Sequence, residues 1–103
     1  MVVISYRTIR EFISMFREAE DSLNNWYRIM TKADFHNYNE LKSIFGSCDS
    51  VGNDRYVFNI KGNKYRVISL IQFSIRTVYI LFVGTHAQYD KINASTIKFN
   101  RLR

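Results

Sequence analysis

The sequence predicts an α+β domain in which N-terminal helices pack on one face of a small antiparallel β-sheet. The first third carries apolar residues at helical spacing, and the second half changes to the two-residue alternation of strands covered on one face. A Gly62-Asn63 pair between two such strands indicates a tight hairpin turn. With 103 residues and 47% apolar content the chain can bury one modest core, so we expect residues 1–103 to form a single domain.

The first third is predicted to contain a short strand and two amphipathic helices. Val2 to Ile4 form the strand, and Ser5 or Thr8 opens the first helix, with Thr8 and Glu11 at capping-box spacing. The apolar stripes of the two helices are Ile9, Phe12, Ile13 and Phe16, and then Leu23, Trp26, Tyr27 and Met30. At this periodicity core packing explains the aromatic residues better than a binding surface does.

A short third helix is predicted between Asn37 and Phe45. Asn37 and Glu40 have capping-box spacing, and Gly46 stands where a left-handed C-terminal cap would lie. His36, in the connection before this helix, is interpreted as a structural residue.

Two strands follow, from Tyr56 to Ile60 and from Tyr65 to Phe73. A two-residue turn at Gly62 and Asn63, both with positive φ, fixes their register. The predicted pairs are Lys61 with Lys64, Ile60 with Tyr65, Asn59 with Arg66, Phe58 with Val67, and Val57 with Ile68. The helices are then expected to cover Tyr56, Phe58, Ile60, Tyr65, Val67, Ile71 and Phe73, and the opposite face begins with Asn59, Lys61, Lys64 and Arg66.

A last strand, from Thr77 to Val83, is predicted to return antiparallel after a tight turn near Ser74-Ile75-Arg76. With a two-residue turn, Phe73 pairs with Val78, Ile71 with Ile80, and Ser69 with Phe82, which sets Arg66 opposite Thr85. This register brings His86 to the edge of the Asn59 and Arg66 surface. Gly84 is expected to let the backbone bend there, so that His86 and Tyr89 lean over that surface.

The charge of the chain is divided unevenly. Residues 1–54 have a net charge of −2 and residues 55–103 a net charge of +8. A basic half attracts polyanions such as nucleic acid or an acidic partner segment, although basic domains also arise for solubility alone. Lys61 and Lys64 by themselves fit a solvated hairpin tip. Arg66 differs, because Val57 and Ile68 should partly enclose it with no obvious acidic partner, which suggests that an anion arrives from outside.

Sequence and composition argue against several other classes of protein. The longest apolar run, from Val78 to Val83, is too short to span a bilayer, and the N-terminus lacks the order of a secretory signal. We therefore expect a cytoplasmic protein without a membrane partner. The lone Cys48 has no thiol or histidine at a metal-ligand spacing, so we expect no metal site and no cofactor.

His86 beside Arg66 is the combination that metal-free phosphoryl chemistry on RNA requires. An imidazole exchanges protons near neutral pH, and a fixed guanidinium stabilises charge on phosphorus. An aromatic ring such as Tyr89 can stack on a base or hold a ribose hydroxyl. The alternative is that His86 is an ordinary surface or hydrogen-bonded histidine at the end of a strand.

Several segments resemble one known family. "YVFNIKGNKYRVI" (56–68) and "YILFVGTHAQYDKI" (79–92) resemble the signature segments of HigB-type toxins, the ribosome-dependent mRNA interferases of the RelE superfamily. "TIREF", "WYRIMTKADF" and "NELKSIFGSCDSVGNDR" are similar to the same family in order and spacing, so the resemblance covers nearly the whole chain.

The resemblance implies a RelE-like fold, with an RNA cleft on the sheet face that the helices leave open. It implies cleavage of mRNA in the ribosomal A site, without metal, by attack of the ribose 2′-hydroxyl on the adjacent phosphate. It also implies a HigA-like helix-turn-helix antitoxin as partner, through which the complex binds operator DNA. The residues implied in catalysis are Lys64, Arg66, His86 and Tyr89. Those implied along the RNA path are Asn59, Lys61, Asn63 and Lys91.

Two positions depart from the family pattern, which has Trp more often at Phe35 and Glu at Gln88. The first is interpreted as a core replacement, and the second as a change in local charge or codon preference. Two alternatives to an active nuclease remain: a non-catalytic module that binds RNA or the ribosome, and an inactive homologue retained for antitoxin binding.

Overall fold

Helices form in the first half of the chain and strands mainly in the second, as the change in apolar spacing predicts. The computed structural model describes residues 1–98. The strands are β1 (Val2–Ile4), β2 (Asp49–Gly52), β3 (Arg55–Ile60), β4 (Tyr65–Gln72) and β5 (Thr77–Thr85). The helices are α1 (Tyr6–Met15), α2 (Glu20–Lys32), α3 (Tyr38–Ile44) and the one-turn α4 (His86–Tyr89), with 3-10 turns at Arg17–Ala19 and Phe73–Ile75. Within residues 1–98, no helix has the length and apolar content needed to cross a membrane.

The five strands form one sheet in the order β1-β5-β4-β3-β2. The pairs β5-β4, β4-β3 and β3-β2 are antiparallel, whereas β1 pairs with β5 in parallel. The sheet is therefore mostly antiparallel, which confirms the predicted fold class, and the parallel pairing of β1 at one edge was not predicted. Parallel strands need a long connection between them, and here the whole of the chain from α1 to β4 supplies it.

The core lies between α1, α2 and one face of the sheet. The members of the two predicted stripes that are buried are Ile9, Phe12, Ile13, Leu23, Trp26 and Met30. All of the sheet residues predicted to lie under the helices belong to this core, with Phe73 only partly buried. Trp26 contacts Phe58 edge to face, with ring centroids 5.2 Å apart, which joins α2 to β3. Phe35 is also buried, as expected of a core replacement.

The predicted helix ends are partly correct. Asn37 caps α3, because its side chain accepts a hydrogen bond from the backbone N–H of Glu40. Of the two residues predicted to open α1, Ser5 is the correct one, with φ 80° and no side-chain cap, so the capping box predicted at Thr8 and Glu11 does not form. The left-handed cap at Gly46 is also wrong, because α3 ends earlier and Gly46 does not have positive φ.

Strand β2 was not predicted, because Asp49–Gly52 lacks apolar alternation. It forms by pairing with the outer edge of β3, where Gly52 pairs with Arg55. The two residues between them, Asn53 and Asp54, both have positive φ, which is the conformation of a type I′ hairpin turn. The Asn-Asp pair is the sequence signal that marks this hairpin.

The predicted register of β3 and β4 is confirmed from the Ile60–Tyr65 pair to the Val57–Ile68 pair. The turn differs in detail. Lys61 and Lys64 lie in the turn rather than in the ladder, and positive φ occurs at Lys61 and Gly62 instead of at Gly62 and Asn63. Asn59 lies directly opposite Arg66, as predicted.

The predicted register of β4 and β5 is wrong. Ile71 pairs with Val78 rather than with Ile80, because the connection is a longer 3-10 turn that ends at Arg76 in the left-handed conformation. A bulge in β5, near Leu81, then shifts the register by one residue, so that Arg66 lies opposite Gly84 instead of Thr85. The bulge thus reduces the difference between the predicted and the observed register from two residues to one, and β5 still brings His86 to the hairpin.

The face opposite the helices has a small core of its own. Val57, Ile68 and Ala94 are buried there. The partly buried apolar residues that pack against them are Val51, Phe82, Tyr89, Ile92 and Ile97. The chain after β5 therefore folds back over this face, which the alternation of the strands did not reveal. Arg66 lies on the same face, two residues before Ile68 in β4.

Candidate nucleic-acid interface

Arg66 is a buried cation without an acidic partner. Only 7% of the residue is exposed. Nη1 donates to the backbone oxygens of Asn63 and Tyr65, both at 3.2 Å, and Nη2 donates to Oδ1 of Asn63 at 2.7 Å. No carboxylate in residues 1–98 lies within ion-pair distance, and two of the five guanidinium N–H groups have no acceptor there. The site therefore favours an external anion.

Tyr89 covers the guanidinium of Arg66. Its ring centroid lies 5.4 Å from Cζ of Arg66, which is within the range of a cation–π interaction. The ring also packs against the small core of this face. Asn63 and Tyr89 thus hold the guanidinium of Arg66 from two sides, and Arg66 itself lies in strand β4.

His86 begins the one-turn helix α4, directly after β5. Thr85 and Gln88 form a complete capping box, in which each side chain bonds the backbone N–H of the other residue. The backbone N–H of His86 donates to the backbone oxygen of Lys64 at 3.0 Å, which ties α4 to the hairpin. Gln88 therefore has a structural role in this chain, beyond the change in charge or codon preference that the sequence suggested.

Asp90 orients the imidazole of His86. The distance from Nδ1 of His86 to Oδ2 of Asp90 is 3.0 Å, and Nε2 has no hydrogen-bond partner among residues 1–98. When Nδ1 donates to the carboxylate, Nε2 is the nitrogen left to exchange a proton with a bound molecule. Asp90 was missed as a site residue, although its position four residues after His86 on a helix could have indicated it.

Lys61 and Lys64 were predicted to share a face with Arg66, but their ammonium groups contact Glu18 instead. Nζ of Lys64 lies 3.5 Å from Oε2 of Glu18, and Nζ of Lys61 donates to the backbone oxygen of Glu18 at 3.1 Å. Oε1 of Glu18 accepts from the hydroxyl of Tyr65 at 2.7 Å. The hairpin tip is thus bonded to the 3-10 turn between α1 and α2. The backbone oxygen of Lys64 accepts the hydrogen bond from His86, which connects Lys64 to the site. Its side chain forms an exposed ion pair with Glu18.

The remaining predicted residues take different places. Asn59 is exposed opposite Arg66, and Asn63 holds Arg66 with two of its oxygens. Lys91 is exposed one residue after Asp90, and its ammonium group forms no ion pair with a described residue. His36 lies apart, with Nδ1 3.1 Å from Oε1 of Glu40, which agrees with a structural role.

The reactive groups outside this site offer no alternative centre in the described chain. Cys48 is buried, and burial raises the pKa of its thiol to about 12, so it is not a thiolate nucleophile at neutral pH. Among residues 1–98, no three His, Cys, Asp or Glu side chains lie together as metal ligands would.

Gly84 is required for close packing rather than for a backbone bend. The backbone bend predicted at Gly84 does not use a conformation reserved for glycine, because its φ is not positive. A Cβ atom at this position would lie 2.4 Å from Cζ of Phe82 and 2.9 Å from Oε1 of Gln88. The missing side chain therefore makes room for the ring below it and for the cap of α4.

Gly84→Ala is expected to lower the free energy of unfolding by about 1–3 kcal/mol, because the Phe82 ring and the Gln88 cap must both move. Urea unfolding followed by circular dichroism measures the change. Gly46→Ala is the matched control, since a Cβ there meets nothing within 4 Å. Equal destabilisation by both substitutions would contradict the packing role of Gly84.

Glu18 should make the stability of the chain depend on pH. The hydrogen bond from Tyr65 and the charge of Lys64 lower the pKa of Glu18 below its usual 4.5, and the same hydrogen bond raises the pKa of Tyr65. A lowered carboxyl pKa stabilises the fold above the unfolded value, and this contribution is lost as the pH falls through the folded value.

Glu18→Gln is therefore expected to lower the urea midpoint at pH 7, and its difference from wild type should shrink as the pH falls through the lowered pKa of the folded-state carboxyl. Glu20→Gln is the control, because the Glu20 side chain forms no hydrogen bond or ion pair with a described residue. Identical midpoints for Glu18→Gln and wild type at pH 7 would show that the Tyr65 and Lys64 contacts do not contribute.

Comparisons with known proteins agree on one family. A family model described as HigB_toxin, the RelE-like toxic component of a toxin-antitoxin system, matches residues 19–92. The chain is 29% identical over 94 residues to an mRNA interferase HigB of Escherichia coli O6:H1, covering 89% of this chain and 91% of the relative. It is 28% identical over 96 residues to the mRNA interferase toxin HigB of Escherichia coli K12, covering 91% and 92%, and equally to an mRNA interferase HigB of Shigella flexneri.

Proposed function

Because this chain belongs to the HigB toxin family, the RelE-like toxic components of toxin–antitoxin systems, we propose that it is an endoribonuclease that cleaves mRNA in the ribosomal A site. The relatives that it matches over about nine-tenths of their length are named mRNA interferases. The observation that carries the proposal is Arg66, a buried guanidinium with no carboxylate partner in residues 1–98, covered by Tyr89 at one end of the His86 helix.

The proposed reaction uses the ribose of the RNA as nucleophile. The 2′-oxygen attacks the adjacent phosphorus, and the bond from phosphorus to the 5′-oxygen breaks, leaving a 2′,3′-cyclic phosphate and a 5′-hydroxyl. A base removes the proton of the 2′-hydroxyl and an acid returns one to the leaving 5′-oxygen. We assign one of these transfers to Nε2 of His86, which has no hydrogen-bond partner in residues 1–98, and we propose a reaction without a metal ion.

The charge that builds on the phosphate oxygens is assigned to Arg66 and Lys64. Arg66 is already fixed by Asn63 and Tyr89, so little reorganisation is needed when the phosphate binds. Lys64 must exchange Glu18 for the phosphate, and this costs little because the ion pair is long and both side chains are more than half exposed. Tyr89 is assigned to the nucleotide beside the cut, and Asn59, Lys61, Asn63 and Lys91 to the RNA path.

The proposal includes the partners that this chemistry implies. An mRNA interferase is lethal to its host unless it is held inactive, and the family is defined by an accompanying antitoxin. We assign that role to a HigA-like helix-turn-helix protein, through which the complex would bind operator DNA. The substrate, the ribosome and the antitoxin place the protein in the cytoplasm.

A coupled translation extract tests the function directly. Reporter mRNA is incubated with the purified protein, and its ends are mapped by primer extension. The expected result is cleavage within translated codons that continues in the presence of a chelator that spares ribosomal magnesium, and that yields 5′-hydroxyl ends. Adding the protein encoded by the neighbouring reading frame should stop it.

Other outcomes separate the alternatives. A module that only binds RNA or the ribosome would reduce translation and leave the message intact. An inactive homologue would affect neither the message nor translation, but would still bind the neighbouring protein. Either result would overturn the proposed nuclease.

A further inference from the structure

One exposed carboxylate holds a cation that is assigned to the proposed reaction. Glu18 lies in the 3-10 turn between α1 and α2, and Oε2 of its side chain is 3.5 Å from Nζ of Lys64. We propose that Glu18 restrains mRNA cleavage, because its carboxylate competes with the RNA phosphate for the ammonium group of Lys64. The inference rests on the proposed function and adds a built-in restraint to the same site.

The fold fixes the position of the Glu18 carboxylate. Ala19, the next residue of the turn, is fully buried, which anchors the turn to the core. Oε1 of Glu18 accepts a hydrogen bond from the hydroxyl of Tyr65 at 2.7 Å. Tyr65 is only 3% exposed, and its ring contacts the ring of Phe12 edge to face, with centroids 5.5 Å apart. A rigid donor therefore holds Oε1, and Oε2 is the oxygen that meets Lys64.

The backbone of Lys64 belongs to the site, although its ammonium group is held outside it. The backbone oxygen of Lys64 accepts from the backbone N–H of His86 at 3.0 Å, and that of Asn63 accepts from Nη1 of Arg66 at 3.2 Å. Lys64 is thus joined to the groups assigned to the reaction. Because a lysine has a flexible four-carbon stem, its ammonium group can turn from Glu18 towards a phosphate at Arg66.

The two cations assigned to the phosphate therefore differ in the free protein. No carboxylate in residues 1–98 pairs with Arg66, whereas Lys64 remains paired until RNA displaces Glu18. The side chains of Lys64 and Glu18 are 57% and 55% exposed, so solvent weakens their attraction. An exposed pair of this type changes an equilibrium by at most about fivefold, which sets the expected size of the restraint.

Binding of an RNA that cannot be cleaved tests the competition without the reaction. The probe is a short fluorescent single-stranded RNA with 2′-O-methyl riboses, which lacks the attacking hydroxyl, and anisotropy at low ionic strength gives its affinity. Glu18→Gln is expected to bind it about two- to fivefold more tightly than wild type. Since the same substitution should lower the urea midpoint at pH 7, better folding cannot account for the gain.

Glu20→Gln is the matched control, because it removes one negative charge two residues away without breaking a contact with a described residue. Its affinity should stay close to that of wild type. Equal affinities of Glu18→Gln and wild type, an equal gain in Glu20→Gln, or no measurable binding by any of them would overturn the competition.

Lysine substitutions identify the cation that is released. In a Lys64→Met background, Glu18→Gln should give no gain in affinity, because the contested ammonium group is absent. In a Lys61→Met background the gain should remain, since Lys61 donates to the backbone oxygen of Glu18, at 3.1 Å, and the substitution keeps that oxygen. A gain that persists in the Lys64→Met background would show that Glu18 does not act through Lys64, which rejects the proposal.

Cleavage in the translation extract then tests whether the competition limits the reaction. Glu18→Gln is expected to cleave the reporter mRNA about two- to fivefold faster than wild type, and Glu20→Gln at the wild-type rate. Equal cleavage by Glu18→Gln and wild type would reject the restraint and leave the proposed nuclease intact. Tighter binding by Glu18→Gln without cleavage by any variant would keep the competition for Lys64 and reject the nuclease.

Discussion

Arg66→Met should reduce mRNA cleavage by roughly 10²–10³-fold, because it removes the fixed cation that stabilises charge on the phosphate. The same substitution should leave the free energy of unfolding unchanged or raise it. Arg66 is a buried charge with no carboxylate partner in residues 1–98, and methionine fills a similar volume without a desolvation cost. Cleavage in the translation extract and urea unfolding of the same preparation measure the two effects.

A loss of cleavage without a loss of stability distinguishes an arginine that acts in the reaction from one that holds the fold together. Arg55→Met is the matched control, since Arg55 lies in the adjacent strand and also donates to backbone oxygens, those of Asn53 and Ile97. It should be destabilising and should keep most of the cleavage. Arg66→Lys should recover little activity, because an ammonium group cannot reproduce the planar contacts with Asn63 and Tyr89. A large loss of stability in Arg66→Met would assign Arg66 to the core instead.

His86→Ala should reduce cleavage by roughly 10²–10⁴-fold while the protein still binds the ribosome and the antitoxin. The imidazole is half exposed, and its Nε2 has no partner in the described chain, so its removal leaves no buried group unpaired. His36→Ala is the control, because the other histidine pairs with Glu40 away from the site. Full cleavage by His86→Ala would remove the histidine from the mechanism.

Asp90 should act through His86, as a positioning residue. Asp90→Asn keeps an oxygen that accepts from Nδ1, so it should lose less activity than Asp90→Ala, and it should alter the pH profile of cleavage because the carboxylate charge is gone. In the His86→Ala background, Asp90→Asn should have no further effect. Additive losses in the double variant would mean that Asp90 acts separately.

The sequence alone was sufficient for the features set by local patterns. The stripes of α1 and α2 face the core as their spacing predicts, with Phe16 and Tyr27 only partly buried. The register from Val57 to Ile68 is correct because a turn with Gly62 at its centre fixes it. The pairing of Asn59 with Arg66 follows from that register. That Arg66 forms no ion pair in residues 1–98 was also predictable, since residues 55–98 contain a single acid, Asp90, and this residue pairs with His86.

Other features depend on contacts between distant segments. The bulge in β5 decides which residue faces Arg66, and β2 forms because the edge of β3 is available to pair with it. The segment after α4 covers the second sheet face, and Glu18 draws the hairpin lysines towards the helices.

The sequence by itself therefore determined the helices, the central hairpin and the position of Arg66 opposite Asn59, because side-chain periodicity and turn conformation are local properties. The tertiary structure alone decided how His86 is held and where the lysines point. The capping box of α4, the bond from His86 to Lys64 and the aspartate on Nδ1 come together only when β5 is packed in its bulged register. Strand alternation carries no information about that packing, since an insertion of one residue in a ladder changes every later pair.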